Sequence, residues 1–196
     1  MNKNVRGSTI MKGNHYFFAV KLPSEAKKFI HQWVMTNKEH FPFKRWVHPE
    51  DYHITLAFLG DQQIEMLERA IAAVEKIAKE EKPFELTFHQ LGTFGKATEP
   101  RIFWLDVKTC ERLTGIQKNV YNQCIKLGFS LDKKPFRPHI TLARKWGGID
   151  PFQMNLLDLY SFRKSFSFSV NQIVLYETHL DQTPKYKEYH VFQLDA

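Results

Sequence analysis

His53 and Thr55 stand two residues apart in the pentapeptide His53-Ile54-Thr55-Leu56-Ala57, and the same five residues return as His139-Ile140-Thr141-Leu142-Ala143. On an extended strand alternate side chains share a face. Each copy would therefore set an imidazole and a hydroxyl side by side, with Ala57 or Ala143 next along that face. Ile54, Leu56 and Phe58, and in the second copy Ile140 and Leu142, would point the other way, into a core. The small alanines would leave room for a ligand beside each pair.

Two imidazoles facing one site suit phosphoryl transfer. Their ordinary pKa is about 6.5, so near neutrality one ring can be neutral and the other protonated. A neutral ring takes a proton from water; a protonated ring gives one to a leaving oxygen. Threonine hydroxyls can hydrogen-bond the non-bridging phosphate oxygens. The arrangement calls for no metal and no cofactor. A single His-x-Thr on a strand is usually a satisfied surface pair. Two identical copies in matching contexts carry the signal, and they suggest a duplication with pseudo-twofold symmetry.

The elements that must position these residues can be read along the chain. Asn14 to Leu22 reads as a buried strand ending at Pro23, with Ser24 as the cap of a helix carrying Phe29, Ile30, Trp33 and Val34. A polar connection from Asn37 to Asp51 leads to a strand from Tyr52 to Leu59. Asp61 then caps a long helix whose apolar stripe is Ile64, Leu67, Ile71, Val74 and Ala78. Phe84 to Phe88 and Arg101 to Val107 read as strands around a loop from Gly92 to Pro100. A third helix starts near Thr109 and ends at Gly128, a residue suited to a left-handed cap. After the second His-x-Thr strand come a loop or short helix from Gly147 to Tyr160 and strands at Ser165 to Tyr176 and Tyr189 to Leu194. Alternation followed by a strand-rich tail indicates an α+β fold rather than a doubly wound sheet.

Composition sets outer bounds. The 196 residues, 43% hydrophobic and 25% charged, fit one domain or two small lobes sharing an interface. No segment approaches the roughly 18 apolar residues of a membrane span, and no secretory signal pattern is present; the expected location is the cytoplasm. Cys110 and Cys124, read on one helix, would lie ~21 Å apart at its 1.5 Å rise, too far to bridge. Residues 1–10 are polar, precede a second methionine at Met11, and read as a disordered leader, leaving 11–196 as a single bilobal domain. The net charge of +7 favours a polyanionic partner. Lys133, Lys134, Arg137, Arg144 and Lys145 cluster in sequence around His139.

At the paired motifs the chain resembles the two-histidine phosphoesterase superfamily, whose signature is two His-x-Thr-x motifs on opposed strands. Within it the chain is similar to the RNA 2′,3′-cyclic phosphodiesterase family, also called 2′-5′ RNA ligase-like. FFAVKLP near the start, WVHPEDYHITLAFLG and PFRPHITLAR carry the likeness. It covers nearly all of the chain beyond Met11. The resemblance implies two antiparallel-sheet lobes, related by a pseudo-twofold, with helices on their outer faces and a cleft between them. It also implies metal-independent opening of a 2′,3′-cyclic phosphate to a 2′-phosphate, on RNA ends or nucleotides; a monomer is expected. His53 and His139 take the catalytic positions and Thr55 and Thr141 the phosphate-binding ones.

Arg144 matches a further family position, as a phosphate ligand, although simple alternation turns it away from His139 and Thr141 unless the strand bends. Phe17, Trp46 and Trp146 are candidates for stacking on a base. The basic neighbours of His139 would favour its neutral form, making it the base, while Glu50 and Asp51 would make His53 the acid. Two other readings stay open: joining of a cyclic end to a 5′-hydroxyl, and binding of RNA ends without turnover.

Overall fold

The computed structural model describes residues 14–195; the expected leader lies outside them. Two antiparallel sheets carry the fold. The first has the order β3 (His53–Asp61), β1 (His15–Lys21), β8 (Gln172–Thr178), β9 (Tyr186–Gln193). The second has the order β2 (Phe43–Trp46), β6 (His139–Trp146), β5 (Glu99–Val107), β4 (Phe84–Lys96), β7 (Ser167–Val170). Every paired strand is antiparallel. The α+β expectation, with two sheets and a histidine motif opening one strand of each, is met.

The helices α1 (Ser24–Asn37), α2 (Ile64–Glu80), α3 (Glu111–Lys126) and the short α4 (Asn155–Leu159) cover these sheets, partly by exchange between the halves. α1 follows β1, yet its Phe29 stacks on Phe166 and Phe88, beside the second sheet, at 4.4 and 5.9 Å between centroids. α3 follows β5, yet packs on β3, where Gln117 Nε2 donates to the Leu56 carbonyl at 3.2 Å. α2 lies against α3, β8 and β9. One continuous apolar core therefore runs through both lobes, including Phe18, Ile54 and Leu56 of the first sheet and Phe103, Leu105 and Ile140 of the second. Burial of each such side chain stabilises the fold by about 1.5–3 kcal/mol. A second, smaller cluster of Phe17, Ala19, Val174 and Tyr176 lies apart from it, on the cleft face of the first sheet.

Several local expectations change. The helix caps are Pro23 and Gln63, not Ser24 and Asp61. β2 forms within the stretch read as a polar connection, pairing Trp46 with Ala143 along the edge of β6. The Gly92 to Pro100 loop is largely strand: β4 continues to Lys96 and pairs with β5 almost to the turn. Gly92 sits there because the Trp104 ring lies over its Cα, where a Cβ would overlap the indole. The strand read from Ser165 to Tyr176 divides at Asn171 into β7 and β8, which join different sheets. Gly128 ends α3 with a φ of 97°, as a left-handed cap requires. Both cysteines are free.

Candidate active site

Each histidine opens its strand, and each is aimed by the same device. His53 Nδ1 lies 2.7 Å from the carbonyl oxygen of Asp51, and His139 Nδ1 lies 2.7 Å from that of Arg137. A carbonyl can only accept, so Nδ1 carries the proton in both rings and Nε2 is the nitrogen left to accept one. His53 Nε2 is 3.0 Å from Thr55 Oγ1, the hydroxyl expected at its side. Thr141 stands in the equivalent place on β6, half-buried like Thr55. β3 and β6 touch across the two sheets, and the charge of His139 presses on His53. The two motifs thus face a common cleft.

Beyond the threonines the strands depart from simple alternation, and they do so identically. In β3 the partners of Phe18 and Ala19 are Ala57 and Thr55, so Leu56 is an extra residue. In β6 the partners of Phe103 and Trp104 are Ala143 and Thr141, so Leu142 is extra. A bulge of this kind puts two consecutive residues on one side and reverses the parity of the residues beyond it. Leu56 and Ala57 are both buried, as are Leu142 and Ala143, and the next residue of each strand is exposed. The alanines therefore join the core instead of lining the cleft. The same bulge returns Arg144 to the face of His139 and Thr141. That resolves the parity conflict seen in the sequence, and the charge of Arg144 acts on both histidines.

Burial, not the basic cluster, governs the imidazoles. His53 is enclosed by Phe17 at 4.8 Å, Tyr186 at 5.1 Å and Tyr176 at 5.9 Å between ring centroids. This enclosure pushes its pKa down to about 4, with smaller contributions from His139, Arg144 and Lys27. His139 has Phe94 edge-on at 4.9 Å and Trp104 at 6.5 Å. Its pKa is also lowered, by burial first and by Arg144 after. The expected charge partners of His53 face elsewhere. Glu50 pairs with the buried Lys27 at 2.8 Å, which holds its carboxyl below the ordinary range. The Asp51 carboxylate accepts from the backbone N–H groups of Lys185 and Tyr186 at 3.0 to 3.1 Å. Among the basic neighbours of His139, Lys133, Lys134 and Lys145 are exposed, and Lys134 pairs with Asp132 at 3.1 Å.

The aromatic candidates divide. Phe17 is buried on the cleft face against His53. Trp46 borders a small recess next to Arg144. Trp146 packs on Phe43 and Phe152 and donates to the Asp150 carbonyl at 3.0 Å, a structural role. Sequence reasoning missed Phe94 and the enclosure of His53 by Tyr186, and it read Asp51 as a charge partner of His53 where the structure uses its backbone carbonyl. Burial pushes the Tyr186 phenol up, against the opposing pull of the neighbouring Arg144 guanidinium. Among the described residues no group of three or more His, Cys, Asp or Glu is placed to hold a metal ion, and no helix is long and apolar enough to cross a membrane.

Two antiparallel lobes with a histidine and a threonine from each meeting in one cleft define a two-histidine phosphoesterase fold. LigT of Escherichia coli, solved with 3′-AMP, superposes with a TM-score of 0.75 over 93% of this chain and 99% of its own, at 23% identity. TT0787 of Thermus thermophilus does so at 0.74 over 92% and 97%, at 24% identity. At these identities they speak to the fold alone. The chain belongs to the 2′-5′ RNA ligase superfamily, whose sequence profile matches residues 22–182. An RNA 2′,3′-cyclic phosphodiesterase of Geobacillus stearothermophilus is 48% identical over 94% of this chain, which spans 58% of that relative's length. One of Bacillus subtilis is 37% identical over 92% of this chain and 96% of its own.

Proposed function

We propose that the protein hydrolyses 2′,3′-cyclic phosphates on RNA ends or nucleotides to 2′-phosphates. The observation that carries this reading is the matched anchoring of His53 and His139. Each presents Nε2 to one cleft that also holds Thr55, Thr141 and Arg144. The names of its relatives support the same substrate class. Water attacks phosphorus in line with O3′; one imidazole takes the proton from water, and the other gives a proton to O3′ as the P–O3′ bond breaks. Thr55 and Thr141 hold the non-bridging oxygens by hydrogen bonds, and Arg144 offsets their charge.

The roles divide by burial. Three rings enclose His53 and two flank His139, so His53, the more enclosed ring, is the base towards water and His139 the acid towards O3′. This reverses the assignment expected from the neighbouring charges in the sequence. No metal or cofactor takes part in the step as drawn. One chain suffices, because both histidines and both threonines come from it, and the two lobes act as one domain around their continuous core.

Joining to a 5′-hydroxyl is the same chemistry with another nucleophile, and water at about 55 M favours hydrolysis. The test is incubation of purified protein with cyclic-ended oligonucleotides and mononucleotides, with the position of the product phosphate determined. Formation of 2′-phosphates supports the reading. Binding without turnover leaves only an RNA-end binding module.

A further inference from the structure

Next to the histidine cleft, on the far side of Arg144, lies a second recess of about 130 Å³ whose lining includes neither histidine of the pair. Arg45, Trp46 and His48 form one wall, Lys185 and Tyr186 the other, and Arg144 is shared with the cleft. Typical small-molecule sites run to ~300–1,000 Å³, so this recess is too small for a nucleoside and suits a single small group. Its charge says which kind. Arg45, Arg144 and Lys185 are cations, and among the described residues none of them is in an ion pair. The one carboxylate in the lining, Asp51, is taken up by the backbone N–H groups of Lys185 and Tyr186. Three cations against one carboxylate leave the lining net positive.

The recess is also built by the fold. β2 is an edge strand of the second sheet, and its register sets Arg45 directly opposite Arg144. The Asp51 contacts fix the backbone of Lys185 and Tyr186, at the start of β9 in the first sheet, on the other side. Cations from both lobes thus converge on one small volume. An RNA that ends in a 2′,3′-cyclic phosphate continues only through O5′ of its last ribose. The nearest other anion is therefore the phosphate on that O5′, one nucleotide step from the reacting phosphorus.

We propose that this recess is a subsite for the phosphate attached 5′ to the terminal ribose, either a free 5′-monophosphate or the phosphodiester of a longer strand. The proposal rests on the cyclic phosphodiesterase reading above and adds to it a preference for 5′-phosphorylated substrates. Arg144 would touch both phosphates and so set their spacing.

The test compares a nucleoside 2′,3′-cyclic phosphate with its 5′-phosphorylated form and with a dinucleotide ending in the same group. Charge-assisted hydrogen bonds to an exposed site should raise kcat/KM about tenfold for both extended substrates. The gain should fall in KM, as for contacts made equally in ground and transition states. Arg45→Gln and Lys185→Gln should each pull the ratio of extended to plain substrate towards one, and added salt should do the same. Both side chains are exposed, and unchanged melting temperatures will show that the variants fold. Equal kcat/KM for the three substrates overturns the subsite. A gain with the dinucleotide alone also overturns it, since the second nucleoside is then what binds. A preference that survives in both variants excludes these residues as its source. Failure to turn over any of the three overturns instead the hydrolase reading on which the subsite rests.

Discussion

Phe58 and Arg144 occupy the same place in the two halves of the molecule: each is the first residue beyond the bulge after its His-x-Thr. Both are exposed, and both lie on the histidine face of their strands. The repeat is thus symmetric in its histidines and threonines and asymmetric in its charge. Of the two, Arg144 brings a guanidinium to the cleft, while Phe58 is 53% exposed and packs edge-on against His15.

This asymmetry makes Arg144 the sensitive member of the pair. Arg144→Ala should lower kcat/KM on a nucleoside 2′,3′-cyclic phosphate roughly 10- to 100-fold, the range for loss of a charge-assisted hydrogen bond to phosphate. Arg144→Lys should recover part of it, keeping charge without the guanidinium fork. Phe58→Ala should cost far less. Steady-state kinetics of the three variants decide the matter, and an Arg144→Ala enzyme at wild-type rates would remove the guanidinium from the mechanism.

His53→Ala and His139→Ala should each lose about 10²–10⁴-fold in turnover, the usual range for a general acid or base. The fold should persist, because the core face of each strand is aliphatic and neither histidine contributes to it. Circular dichroism and melting temperature provide the control. Turnover near wild type in either variant would refute the two-histidine mechanism.

Chelators should leave activity unchanged. The proposed step uses imidazole, hydroxyl and guanidinium groups, and none of these requires a divalent ion. Loss of turnover in EDTA, with recovery on adding a divalent cation, would mean that an essential participant is missing from this mechanism.

Acid should destabilise the protein through His53. The unfolded chain binds a proton there near the ordinary pKa of about 6.5, whereas burial delays binding in the folded chain to about 4. Between these values the unfolded state holds more protons. The stabilisation is therefore complete above the higher pKa and declines as pH falls towards the lower one. His139 shifts in the same direction. His53→Gln should flatten this decline, and the readout is the melting temperature of both proteins from roughly pH 7 down to 4. Parallel curves would show that His53 is not held neutral.

How far the sequence is legible depends on distance along the chain. Period-two alternation places His53 with Thr55 and His139 with Thr141 correctly, because nothing interrupts the strands over those three residues. It fails one residue later, since the inserted Leu56 and Leu142 look like any other core leucine. Comparison of the copies does hold a clue: Ala57-Phe58 and Ala143-Arg144 put a large or charged residue where alternation expects a core position. The β4–β5 hairpin reads as a loop because glycines ordinarily break strands, whereas Gly92 is there for the Trp104 ring. The place of Tyr186 and the use of the Asp51 carboxylate are invisible for another reason. Tyr186 reaches His53 from β9, the Asp51 carboxylate latches the backbone of Lys185 and Tyr186 over more than a hundred residues of chain, and no local pattern encodes such contacts.

The division of labour between the histidines is open to direct test. Burial lowers both pKa values, and three rings, Phe17, Tyr176 and Tyr186, enclose His53 where two, Phe94 and Trp104, flank His139. A base must be neutral and an acid protonated when substrate binds. The less enclosed ring, His139, is the one that an approaching phosphate anion more readily protonates. The acid is needed only while the departing O3′ is a poor leaving group. A substrate analogue with a far better leaving group in that position should therefore restore much of the turnover lost in His139→Ala and little of that lost in His53→Ala, because water must still be deprotonated. Rescue confined to His53→Ala would exchange the two roles, and would mean that the local field of the bound phosphate outweighs the difference in burial.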